Sequence, residues 1–109
     1  MATSTKVLGQ SAPLAATLTT LYTVPGATKV TGTTILVCNR SATPTSFRVS
    51  VVPAGAGDSV EQYIYYDVAI DGNDTFGATV GLTLEATDVV RVYATLATLS
   101  FNLFGIEEA

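Results

Sequence analysis

The sequence predicts an all-β fold, an antiparallel two-sheet β-sandwich of about eight strands. Three observations carry that expectation. Apolar residues nowhere recur at helical spacing; short runs rich in Val, Ile, Thr, Tyr and Phe follow one another at intervals near ten residues; and clusters of Gly, Pro, Asn and Asp separate them. Jelly-roll and immunoglobulin-like arrangements both satisfy this pattern.

In chain order, strands are expected at 6–10 (KVLGQ), 17–24 (TLTTLYTV), 33–39 (TTILVCN), 45–53 (TSFRVSVVP), 62–70 (QYIYYDVAI), 74–80 (DTFGATV), 88–94 (DVVRVYA) and 98–105 (TLSFNLFG). Residues 1–16 read as an extended N-terminal arm or edge strand, 17–105 as the sandwich, and 106–109 as a short acidic tail. In VPGAT, Pro25 and Gly26 suit the centre of a type II turn, with positive φ at Gly26. PAGAGDS at 53–59 is a flexible crossing, and DGND at 71–74 a tight turn closing a hairpin between the strands beside it.

Alternation assigns the faces. Phe47, Val49 and Val51 are expected in the core, opposite Arg48 and Ser50; Val90, Val92 and Ala94 lie opposite Arg91 and Tyr93; Phe101, Leu103 and Gly105 lie opposite Ser100, Asn102 and Phe104. In the tyrosine strand, Ile64, Tyr66, Val68 and Ile70 read as core and Tyr63, Tyr65 and Asp67 as outward. ILVCN at 35–39 is apolar on both faces, which predicts a central strand covered on both sides, with Cys38 a small buried residue rather than a reactive thiol.

The chain has 109 residues, five basic and nine acidic side chains, one Cys and no His or Trp. That length suits one domain able to bury roughly two-thirds of its unfolded surface. A lone cysteine closes no internal disulfide, so no oxidised scaffold is implied. Charged residues make up 13%, against about a quarter in an ordinary domain. Such a surface suits a chain whose partners cover part of it. No run approaches the roughly 18 apolar residues of a membrane span, and MATSTKVLGQ does not read as a secretory leader.

The inventory argues against catalysis. Without histidine the commonest general base is missing. Asp58, Glu61, Asp71, Asp74, Glu85 and Asp88 fall at turns and strand ends, where backbone roles explain them, rather than as the paired carboxyls of a glycosidase. Asp71, Asn73 and Asp74 are the one candidate metal set, for calcium. Their spacing falls short of the roughly twelve-residue EF-hand loop, and a turn needs these residue types anyway. No cofactor or small-molecule substrate is expected. Nucleic acid is a poor partner for a net charge of −4, with Lys6, Lys29, Arg40, Arg48 and Arg91 dispersed along the chain. Arg48 and Arg91 are expected to pair with Asp67 across neighbouring strands or with acids of an adjacent subunit.

That leaves an outer aromatic face of Tyr63, Tyr65 and Tyr93, with Phe104 added, as the expected interface. The same tyrosines would serve as the platform of a carbohydrate-binding module, an option weakened by the absence of Trp.

The segments KVLGQSAP, TTLYTVPGAT, ILVCNRSATPTSFRVSVVPAG, QYIYYDVAIDGNDTF and LEATDVVRVYATLATLSFNLFGIE, in that order and over nearly the whole chain, resemble a family of small virion structural proteins of tailed bacteriophages. The resemblance implies a non-enzymatic β-sandwich present in many copies on the particle. As a capsid decoration or cement protein it would be made in the host cytoplasm and sit on the capsid exterior. Its partners would be the major capsid protein and copies of itself, as in trimers. A tail, baseplate or fibre-attachment component is the alternative.

Overall fold

The computed structural model describes residues 2–109 and contains eight strands: β1 (Thr3–Ser11), β2 (Thr19–Thr23), β3 (Lys29–Asn39), β4 (Thr45–Val52), β5 (Tyr63–Ile70), β6 (Thr75–Thr79), β7 (Val89–Ala94) and β8 (Leu99–Glu108). Antiparallel pairs join β1 to β8, β2 to β7, β3 to β6 and β4 to β5, so the chain is one long ribbon doubled back on itself. Further pairing of β3 with β8 and β4 with β7 rolls the ribbon into two four-stranded sheets, β1-β8-β3-β6 and β2-β7-β4-β5. This strand order is a jelly roll, and it settles the choice against an immunoglobulin arrangement.

The core lies between the sheets. Phe47 from β4 and Phe101 from β8 are fully buried, their ring centroids 6.2 Å apart, and Ile35, Val37, Leu103, Val49, Val90 and Val92 pack around them. These are the inward positions that alternation predicts for β4, β7 and β8. Two glycines let the layers close up. A Cβ on Gly9, beside the bulge of β1, would lie 2.2 Å from the carbonyl oxygen of Leu21, so only glycine lets β1 pass over β2 there. Gly105 leaves room for Leu8, whose Cδ1 would come within 2.9 Å of a side chain at that position.

Several expectations are corrected. Residues 106–108 are no tail: Ile106, Glu107 and Glu108 continue β8 and pair with both Thr3–Thr5 and Lys29–Thr31, because the long β1 and β3 give them a ladder on each side. Of the two readings of residues 1–16, an arm or an edge strand, residues 3–11 take the second and pair with β8 at the edge of the sheet. Val60–Gln62 forms a 3-10 turn ahead of β5, closed where Gln62 Oε1 accepts the Ser59 N–H at 3.1 Å. In VPGAT the left-handed residue is Ala27, at φ 55°, rather than Gly26.

β5 and β6 make no hairpin. They belong to different sheets, and the DGND turn carries the chain across the sandwich. It crosses beside the β3–β4 connection, which makes the same passage. Asn39, 1% exposed at the end of β3, holds the two together. Its Nδ2 donates to Thr43 O at 2.8 Å and to Asp71 O at 3.2 Å, and its Oδ1 accepts the Ser41 N–H at 3.1 Å. Backbone bonds from Asn73 N to Ser41 O and from Asn39 N to Asp74 O complete the clasp. Gly72 seats against Ala42, whose carbonyl oxygen would stand 2.1 Å from a Cβ.

Asn39→Ala should therefore be costly for a substitution at a polar residue. It removes three part-buried hydrogen bonds, to Thr43 and Asp71, which are exposed, and to half-buried Ser41, at about 1 kcal/mol each. Urea denaturation is expected to give a stability loss of about 2–3 kcal/mol; a loss below about 1 kcal/mol would show that the crossings hold without the clasp.

Candidate functional site

The two outer faces of the sandwich differ in chemistry, and the difference begins with one residue. In β5, Phe47 pairs with Val68 and Val49 with Tyr65, so Tyr66 and Asp67 together stand opposite Arg48. This is a β-bulge, with Asp67 in the left-handed region at φ 51°. An extra residue reverses alternation beyond it. Tyr65 turns inward, 5.2 Å from Phe76 and 6.3 Å from Phe47 between ring centroids, while Tyr66 turns outward and is 57% exposed. The expected positions of Tyr65 and Tyr66 are therefore exchanged, and Ile64, expected in the core, is 39% exposed. A second irregularity, between Val49 and Ser50, returns Tyr63 to the outer face opposite Ser50.

The outer face of β2-β7-β4-β5 satisfies itself. The Arg48 guanidinium lies 4.2 Å from the centroid of Tyr66 and 4.4 Å from that of Tyr93. It also grips Asp67 through Nε at 2.6 Å and Nη2 at 3.3 Å, the pairing expected from the sequence, and this hydrogen bond raises its pKa above the ordinary arginine value. Tyr63 stands edge-on to Tyr66 at 5.0 Å, and Arg91 pairs with Asp58 at 2.7 Å rather than with Asp67. Tyr63 and Tyr93 are outward as expected, but Tyr93 has a guanidinium over its ring and Tyr65 is inside. No flat platform of the three exists for a sugar to stack on.

Phe104 lies on the other sheet. There the outer face runs in rows across the strands: Val7, Phe104, Thr34 and Thr79; then Gln10, Asn102, Leu36 and Gly77; then Ser100, Cys38 and Thr75. On the other side of the first row come Thr5, Ile106 and Thr31. None of these side chains is charged; charge enters at the two ends of the sheet, with Lys29 opposite Glu108 at one and Arg40 beside Thr98 at the other. Val7 is 47% and Leu36 37% exposed, with Leu36 lying over Gly77. Cys38 sits half-buried on this face rather than in the core, so ILVCN is covered by this chain on one side only. The sequence missed this face because its residues come from four strands; the signal available was the doubly apolar run at 35–39.

The DGND residues are occupied with the turn. Asn73 is left-handed at φ 54°, Asp74 Oδ1 accepts the Thr75 N–H at 2.8 Å, and the main-chain oxygens of Asp71 and Asp74 serve Asn39. Among the described residues no group of three or more His, Cys, Asp or Glu is placed to hold a metal ion.

At one end of the sandwich Glu107 points inward, 2.7 Å from Lys6 and hydrogen-bonded by the Tyr22 hydroxyl. This joins β8 and β1 to β2 of the opposite sheet. Lys6 first, and then Tyr22, hold the Glu107 carboxyl below its ordinary pKa. Burial, followed by Glu107, pushes the Tyr22 hydroxyl up, so it remains a neutral donor.

Tyr65→Ala should lower stability by about 3 kcal/mol, as for an aromatic removed from a core, whereas Tyr66→Ala should cost less than about 1 kcal/mol, the range of an exposed cation–π contact. The reverse ranking in chemical denaturation would show that the bulge is misplaced. A carboxyl with a lowered folded-state pKa adds stability that is complete above its unfolded value, about 4.3, and lost as pH falls through the folded one. Glu107→Gln should therefore be about 1 kcal/mol less stable than wild type near neutrality, the scale of a partly exposed ion pair. The gap should close below about pH 4 when melts are repeated across pH; a constant gap would mean the ion pair contributes nothing.

Compared with family models, curated proteins and solved structures, the chain matches none.

Proposed function

We propose that the chain is a non-enzymatic bacteriophage virion structural protein, a capsid decoration or cement protein that binds the outer capsid surface and stabilises the shell. Fold alone chooses no function. The observation that supports the reading is the uncharged outer face of β1-β8-β3-β6, where Val7, Leu36, Phe104, Ile106 and Cys38 are left partly open although β3 carries the sequence of a strand covered on both sides. Apolar and uncharged polar groups at the centre, with charge at the rim, are the usual layout of a protein–protein contact. The opposite face, with its cations already paired, has less to gain from a partner.

The action is mechanical. Contacts that exist only in the assembled shell stabilise it by mass action, and many weak contacts in a symmetric array reinforce one another. The major capsid protein and further copies of this chain are the partners. No chemistry is part of this reading: histidine is absent, Asp58, Asp67 and Glu107 are held in ion pairs, and Asp71, Asp74 and Asp88 serve turns.

Electron cryomicroscopy of the intact particle is expected to place this chain on the capsid exterior with Val7 and Leu36 covered. Density in the tail or baseplate would replace the capsid role with fibre attachment, and absence from the particle would end the virion reading. In particles grown with Leu36→Glu, occupancy is expected to fall at least tenfold while the isolated domain keeps its melting temperature within a few degrees, since a charge buried in a contact is costly where an exposed one is not. Tyr66→Glu is the control expected to leave occupancy unchanged.

A further inference from the structure

Each sheet has two edges, and the four are not protected alike. β1 is bulged between Val7 and Gly9, β2 between Thr20 and Tyr22, and β5 twice, with Asp67 left-handed. Bulges of this kind twist an edge away from further pairing. β6 has none. Its register against β3 runs unbroken from Thr34–Thr79 to Cys38–Thr75, and TFGAT contains neither charge nor proline.

The free side of β6 can be identified from its partner. Asn39 N–H donates to Asp74 O, so the hydrogen-bonded pairs with β3 are Asn39–Asp74, Val37–Phe76 and Ile35–Ala78. The backbone groups of Thr75, Gly77 and Thr79 therefore point away from the sheet. Apart from the Thr75 N–H, which Asp74 Oδ1 takes, none of them meets another strand among the described residues.

We propose that this edge pairs with the same edge of a second copy, antiparallel about a two-fold axis at Gly77. The segment is self-complementary. Gly77 would exchange both backbone bonds with Gly77 of the second copy, and Thr79 N–H would donate to Thr75 O of the second copy, placing threonine beside threonine. Asp74 would fall opposite Val80 rather than another acid, so no like charges meet despite the net charge of −4. The product is one eight-stranded sheet in which the uncharged outer faces of the two copies run on as a single surface. An edge admits one neighbour, so the unit is a two-fold pair and not the trimer that the family resemblance implies.

A five-residue edge covers well under the roughly 800 Å² per partner of a standard interface, so the Kd should be on the order of 0.1–1 mM. Sedimentation velocity on the isolated chain, from a tenth to ten times that Kd, is expected to show a monomer giving way to a dimer. Thr75→Lys with Thr79→Lys, and Thr75→Glu with Thr79→Glu, should each remain monomeric, while an equimolar mixture of the two should associate at least as tightly as wild type. A wild type that stays monomeric throughout overturns the proposal; so does a lysine variant that dimerises like wild type, or a mixture that does not associate. Should either variant fail to fold, amide exchange at Gly77 and Thr79 decides: slowing at high wild-type concentration supports the pair, and no change overturns it. The experiment needs no virion, so a chain found on the capsid yet monomeric here would sink this pairing and leave the proposed function standing.

Discussion

Asn39 is the point on which the two sheets depend for their connection. A jelly roll must pass the chain from one layer to the other, and backbone at a crossing loses its ladder partners just where the strands stop supplying them. One amide side chain, with two donors and an acceptor, supplies what two neighbouring crossings lack. Because it serves the 40–44 and 71–74 connections at once, the ends of β3 and β5 and the starts of β4 and β6 are held in one place. The ladders of β6 on β3 and of β5 on β4 both begin beside that anchoring, at Cys38–Thr75 and Thr45–Ile70.

The second constraint is the bulge at Tyr66 and Asp67. It inserts a residue, reverses the strand beyond it, and so decides which tyrosine fills the core. Aspartate tolerates the left-handed conformation that this requires. The carboxylate displaced outward then meets Arg48, and Arg48 in turn occupies the faces of Tyr66 and Tyr93. A backbone irregularity thus spends on internal contacts the groups that would have made this sheet sticky. The other sheet has no such device on its outer face.

All eight strands were legible from alternation and turn residues, because each strand buries one face and the period of two survives in the sequence. What depended on long-range partners was not. The shared clasp at Asn39 joins residues far apart in sequence, so DGND resembled a hairpin turn when it is a crossing. Tyr65 and Tyr66 were exchanged because strict alternation was carried through a bulge; two adjacent tyrosines before an aspartate were the visible warning. Phe104 was outward as expected, but which sheet it belonged to followed only from the pairing of β8 with β1 and β3. The doubly apolar run at 35–39 was expected to be covered on both sides, and the domain covers only one of them, leaving Leu36 37% exposed and Cys38 half-buried on the outer face.

The nesting of the four ribbon pairs also orders events in time. β4 and β5 enclose the shortest loop, β3 and β6 the next, β2 and β7 the next, and β1 and β8 nearly the whole chain. Closing a loop costs entropy that grows with the length of free chain inside it, but each inner pair, once formed, has already shortened the free chain left for the next. Loop-closure entropy therefore favours a roll that zips from its middle outward. On the same argument the β1–β8 ladder, which runs out to the backbone bonds between Ala2 and Ala109, has the longest loop to close.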